Sequence, residues 1–141
     1  MNSYSMGELE EGKTKSDFNI VVTEQMMDTF RQLSGDNNPL HTDQKYARSK
    51  GMKEKTVYGM LVASFYSKLV GMYLPGKFCM LHEIKINFRK PVYPGDMLHV
   101  SGVIKEKREL FHRAVIEAEI SNQNKEKVSN ARITVGVLDE V

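Results

Sequence analysis

Apolar positions along the chain repeat with two different periods, and the change of period divides the sequence into a mainly helical part and a stranded part. Met26, Met27, Phe30 and Leu33 recur at helical spacing, so residues 24 to 34 form a helix with one apolar face, which Thr23 can cap and Gly35 stop. "FNIVV", just before it, has strand composition. From Ile84 onward the period falls to that of a strand. Ile84, Ile86 and Phe88 alternate with Lys85, Asn87 and Arg89; a Pro94-Gly95-Asp96 turn follows; then Leu98, Val100, Gly102 and Ile104 alternate with partly polar neighbours. Two more strands are expected in "FHRAVIEAEISN" and "KVSNARITVGVL", joined by the polar loop "QNKEK".

Between the two parts lie a short helix, "QKYARSK", capped by Asp43 and ended by Gly51, and a longer helical stretch from Gly59 to Tyr73. The longer stretch is apolar on nearly every face. It contains Lys68 and is shorter than the roughly 20 residues of a membrane span, so it reads as a helix buried inside a fold. One early strand, helices, then at least four long strands joined by short turns make an α+β protein with an antiparallel sheet. The sheet needs a cover for its apolar face, and the Gly59 to Tyr73 helix is the element apolar enough to be wrapped by it. Residues 1 to 16 read as a loosely held arm and residues 17 to 141 as one domain.

Composition narrows the functional classes. Apolar residues make up 40% and charged residues 27% of the 141, ordinary values for a soluble globular chain, and a net charge of +2 makes no case for nucleic acid or a membrane surface. Lys45, Arg48, Lys50, Lys53 and Lys55 cluster, as a solvated basic face does. The single cysteine, Cys79, excludes an internal disulfide and fits a reducing cytoplasm; in "KFCMLHEIKINF" it reads as a small buried strand residue. "MNSYSMGELEEGKTKS" lacks the apolar core of a signal peptide, which gives the expectation of a cytoplasmic protein. His82, His99 and His112 are scattered over the strands, so no metal site and no cofactor are expected.

The candidate chemistry lies in "SGDNNPLHTDQKYA", residues 34 to 47. Asp36 and His41 stand close together in an irregular segment between helices, where functional residues concentrate. Pro39 fixes its own φ and pushes Asn38 toward extended geometry, which stiffens the segment. A carboxylate and an imidazole held around one volume can orient a water and move its protons. The same residues also make a good turn, with Asp36 bonded to its own backbone, and the residues alone leave both readings open. Gly59 opens the apolar helix; its N–H is an unpaired donor at the positive end of the helix dipole, and the missing Cβ admits a ligand, whereas the plainer reading has it merely end a loop.

"FRQLSGDNNPLHTDQKYARSKGMKEKTVYGMLVASFYSKLVGMYLPG" resembles the hydratase motif of the MaoC-like family, which includes the (R)-specific enoyl-CoA hydratases, and "INFRKPVYPGDMLHVSGVI" is similar to the strand, turn and strand that follow it there. The resemblance spans about residues 7 to 138. It implies a hot-dog fold, a curved antiparallel sheet wrapped around a long central helix, and usually a homodimer with active sites near the interface. The implied reaction is reversible hydration of a trans-2-enoyl thioester, carried on CoA or on acyl carrier protein, to the (R)-3-hydroxyacyl thioester. By motif position, Asp36 is the general base toward water, His41 shares that water and helps protonate Cα, and Gly59 forms the oxyanion hole. Asn38 matches the residue that shapes the loop and Ser67 one that supports the catalytic pair. Where the family typically reads His-Gly-Met, this chain has Tyr58-Gly59-Met60, which makes Tyr58 a candidate for acyl specificity. Two alternatives stand beside the hydratase: an acyl-thioester hydrolase on the same fold, and an acyl-thioester-binding module without turnover.

Overall fold

The computed structural model describes residues 1 to 139. Five strands, β1 (Lys15–Val21), β2 (Cys79–Phe88), β3 (Met97–Arg108), β4 (Arg113–Ser121) and β5 (Lys127–Val137), form one antiparallel sheet in the order β1-β3-β4-β5-β2. Four helices lie between β1 and β2: α1 (Glu24–Ser34), α2 (Pro39–Thr42), α3 (Gln44–Ser49) and α4 (Gly59–Lys68). The apolar stretch runs on past α4 as a π-helical turn, Leu69–Tyr73, so its full length is helical as the sequence predicts.

One face of the sheet is the floor of the core. Ile104, Ile116 and Ile133 stand in register across β3, β4 and β5, all without solvent exposure. Beside them runs a row of small residues, Gly102, Ala118 and Ala131. A Cβ on Gly102 would lie 2.8 Å from Leu69 Cδ2, so the absent side chain is what lets the helical segment settle onto the sheet. Leu61, Val62, Phe65, Tyr66, Leu69 and Val70 bury the helix against this floor. The buried Tyr66 hydroxyl donates to Ser129 Oγ at 2.9 Å, and Ser129 donates in turn to the Asn87 carbonyl, so both of these buried hydroxyls are paired.

Two features differ from the sequence reading. Residues 1 to 16, expected as a loose arm, make defined contacts: Met6 and Leu9 are buried, the Asn2 N–H donates to the Met72 carbonyl at 2.8 Å, and Lys15 and Ser16 already belong to β1. Their acidic and polar composition hid these two apolar anchors. The segment after α1, expected as irregular, is so over residues 35 to 38 but helical over Pro39–Thr42, because Asn38 caps α2 and Pro39 occupies its first turn, where a proline's missing N–H is no loss. Among the described residues no helix is long and apolar enough to cross a membrane.

Candidate active site

α1 ends at Gly35, whose left-handed φ of 72° turns the chain out of the helix. Asp36 follows at the surface. Its N–H donates to Ser34 Oγ at 3.2 Å, and its Oδ1 accepts the Asn38 N–H at 3.0 Å. Asn38 Oδ1 accepts the Leu40 N–H at 2.9 Å, which starts α2 and places His41 in that short helix. The turn and the helix cap thus act in sequence to carry the chain from the carboxylate to the imidazole.

His41 is half-buried, and its ring is held on two sides. Nδ1 lies 2.8 Å from the Thr56 carbonyl oxygen and 3.3 Å from Thr56 Oγ1. A carbonyl only accepts, so Nδ1 carries the hydrogen, and Nε2 is the acceptor of the neutral ring. The ring face stacks on Tyr58, centroid to centroid 4.1 Å at 30°. Tyr58 is buried, packs against Phe30 on its other contact at 4.9 Å, and donates its hydroxyl to the Asp36 carbonyl at 2.7 Å. Burial, and then the negative charge of Asp36, raise the Tyr58 hydroxyl above the ordinary phenol range, so it stays a neutral donor.

Gly59, next in the chain, is the first residue of α4, and a helix's first turn leaves its N–H groups without intrahelical acceptors. A groove of about 310 Å³ opens there, walled by Leu40, Val57, Val62 and Phe88 together with His41 and Gly59. Arg89 and Lys90 also line it, so an apolar channel meets cationic groups. The structure therefore brings His41 and Gly59 to one groove; Asp36 and Asn38 are not in its wall, and Asp36 is linked to it through the Tyr58 hydroxyl on its main-chain carbonyl. Tyr58 itself is absent from the groove wall, although its neighbours Val57 and Gly59 are in it. Ser67 is not brought to this groove. It sits eight residues beyond Gly59, about 12 Å along the helix axis, on an exposed stripe with Met60 and Ser64.

The remaining histidines fall elsewhere. His99 Nε2 lies 2.7 Å from Asp17 Oδ2 beside a wide polar hollow of about 1280 Å³ on the sheet, and both side chains are well exposed, as in a surface ion pair. His82 is exposed on β2, and His112 lies 3.2 Å from Asp139 through Nδ1 and Oδ1. Thr56, whose carbonyl orients His41, and Phe30, which backs Tyr58, did not stand out in the sequence. A main-chain acceptor has no sequence signature, and Phe30 was legible only as part of an apolar helix face.

The MaoC like domain family model matches residues 8–128. An (R)-specific enoyl-CoA hydratase from Aeromonas caviae is 42% identical over 67 residues, covering 48% of this chain and 50% of the relative. A mitochondrial 3-hydroxyacyl-(acyl-carrier-protein) dehydratase from Arabidopsis thaliana is 34% identical over 76 residues, covering 54% of this chain and 45% of the relative. The chain thus spans about half the length of these two curated relatives. Among solved structures, the R-hydratase PhaJ1 of Pseudomonas aeruginosa in its unliganded form superposes with a TM-score of 0.88 at 29% identity, covering 96% of this chain and 86% of that one.

Proposed function

Because the chain belongs to the MaoC-like domain family, we propose that it adds water reversibly to a trans-2-enoyl thioester, giving an (R)-3-hydroxyacyl thioester. The observation that carries this reading is the placement of His41 and Gly59 in the wall of one apolar groove, with Asp36 tied to both through Tyr58. Water is a poor acid, so its deprotonation must be coupled to charge development on the thioester oxygen. The Gly59 N–H, at the positive end of α4, receives that oxygen as enolate character grows, a contribution worth about 3 kcal/mol for a well-aimed donor. Asp36 and His41 Nε2 share the water. Its oxygen bonds to Cβ as its proton passes to them, and a proton is returned to Cα from the same side, which makes the addition syn. No change of redox state is involved.

Arg89 suits the phosphate groups that CoA and a carrier-protein arm have in common, while Lys90 beside it is already paired with Glu126. The names of the relatives support both carriers. A homodimer fits the surface: β2 is an edge strand with exposed Met80, Leu81 and Phe88, and Met60, Ser64 and Ser67 leave an uncovered stripe on α4. A cytoplasmic setting fits a single unpaired cysteine.

A panel of enoyl-CoA and enoyl-carrier thioesters tests the reading. Loss of enoyl absorbance without thiol release is expected. Thiol release would make the protein a hydrolase, and inertness toward the whole panel would leave a binding module. Sedimentation as a monomer at micromolar concentration would sink the dimer.

A further inference from the structure

Tyr58 sits where the sequence suggested an acyl-selecting residue, yet it does not line the groove. It touches the residues that do the chemistry in the proposed function, on which this inference rests. Residues 35 to 38 are otherwise held by bonds to near neighbours in sequence: Gly35 N–H to the Arg31 carbonyl, Asp36 N–H to Ser34 Oγ, and Asn38 N–H to Asp36 Oδ1. Among the described residues, the Tyr58 hydroxyl on the Asp36 carbonyl is the hydrogen bond that ties this exposed segment to a residue distant in sequence. The same ring stacks on His41. Its own position is fixed, because Tyr58 is 2% exposed, directly precedes the first residue of α4 and packs on Phe30.

We propose that Tyr58 is a positioning residue: its hydroxyl sets where the Asp36 carboxylate stands relative to the His41 imidazole against its ring and the Gly59 donor beside it. The geometry of a reacting pair is steep in its effect, since a displacement of about 1 Å can cost on the order of a hundredfold in rate. An exposed, locally bonded segment has little else to hold it to that tolerance.

Tyr58→Phe tests this directly, because it removes the hydroxyl and keeps the stacked ring. On the best thioester of the parent protein, kcat is expected to fall roughly 10- to 100-fold with KM within about twofold. Hydrogen exchange of the amides of residues 36 to 38 should quicken, while those of α4 keep their protection. Tyr58→Leu, which also loses the stack, should fall further. An active parent whose Tyr58→Phe variant keeps its kcat overturns the inference alone, as does a rise in KM or a changed chain-length preference at constant kcat, the signature of acyl selection. A parent inert toward every thioester overturns the functional reading and this inference with it, even if the exchange result is as expected.

Discussion

His41 Nδ1 lies 2.8 Å from the main-chain oxygen of Thr56, so the imidazole is oriented by a group that no side-chain substitution removes. The Thr56 hydroxyl, at 3.3 Å, is the secondary contact. Thr56→Val should therefore keep kcat within about fivefold, the worth of one ordinary hydrogen bond. His41→Gln, which lacks the ring, should lose about 100- to 10,000-fold. Equal losses in the two variants would show that the hydroxyl rather than the carbonyl directs the ring. The measurement is hydration of an enoyl thioester followed by its absorbance.

Asp36→Asn separates charge from structure. The Asn side chain keeps an oxygen to accept the Asn38 N–H, so the turn and the cap of α2 survive. Loss of the carboxylate charge should lower kcat about 100- to 10,000-fold while the unfolding midpoint stays within a few degrees. Retained hydration would remove Asp36 from the mechanism.

Two glycines on the same helical segment's surroundings should respond oppositely. A Cβ on Gly59 would meet Phe88 Cε1 at 3.4 Å, and Phe88 is 53% exposed and able to move, so Gly59→Ala should fold normally and lower kcat/KM by intruding beside the thioester. A Cβ on Gly102 would meet Leu69 at 2.8 Å and Ile116 at 3.2 Å in the core, so Gly102→Ala should cost about 1 to 3 kcal/mol of stability. Urea titrations and kinetics on both variants check the contrast.

The long apolar helix and the alternating strands were legible because each has a local signature, a period or a cap; Asp36, Asn38, His41 and Gly59 stood out by residue type and offset, and the roles expected of them came from the family resemblance. The helical nature of residues 39 to 42 was not, since a turn and a capped helix begin with the same Asn-Pro pair and differ only in what the following backbone bonds to. Tyr58 illustrates the wider limit. Its standing where the family typically has His suggested acyl specificity, yet its ring turns to Phe30 and His41 and its hydroxyl to Asp36, contacts with residues distant in sequence that only the tertiary fold brings together. Ser67 shows the reverse case, a motif position that this chain leaves on an exposed stripe.

Cys79 opens β2 half-buried, and burial pushes its thiol up to about 11. At pH 8 roughly one thiol in a thousand is then ionised, and the thiolate is the reactive form. Iodoacetamide should label the folded protein far more slowly than the urea-unfolded chain. Comparable rates would show an open, reactive cysteine.

Asp139 joins the two ends of the described chain: its Oδ2 accepts the Met6 N–H at 2.7 Å, next to the buried Met6 side chain. That hydrogen bond, chiefly, holds the Asp139 carboxyl below the usual carboxylate range against the opposing effect of burial, and the nearby His112 adds to it. A lowered value in the folded state means the folded protein favours the ionised form. The resulting stabilisation is present above the unfolded value of about 3.9 and is lost as pH falls through the lower folded value. Asp139→Ala should therefore lose about 1 to 2 kcal/mol at pH 7, where a charged acceptor is removed from the Met6 N–H. The gap between variant and parent in urea unfolding should narrow below about pH 4, as the parent's carboxylate takes up its proton. A gap unchanged between pH 7 and pH 3 would assign the loss to packing of the terminal segment rather than to the ionised carboxylate.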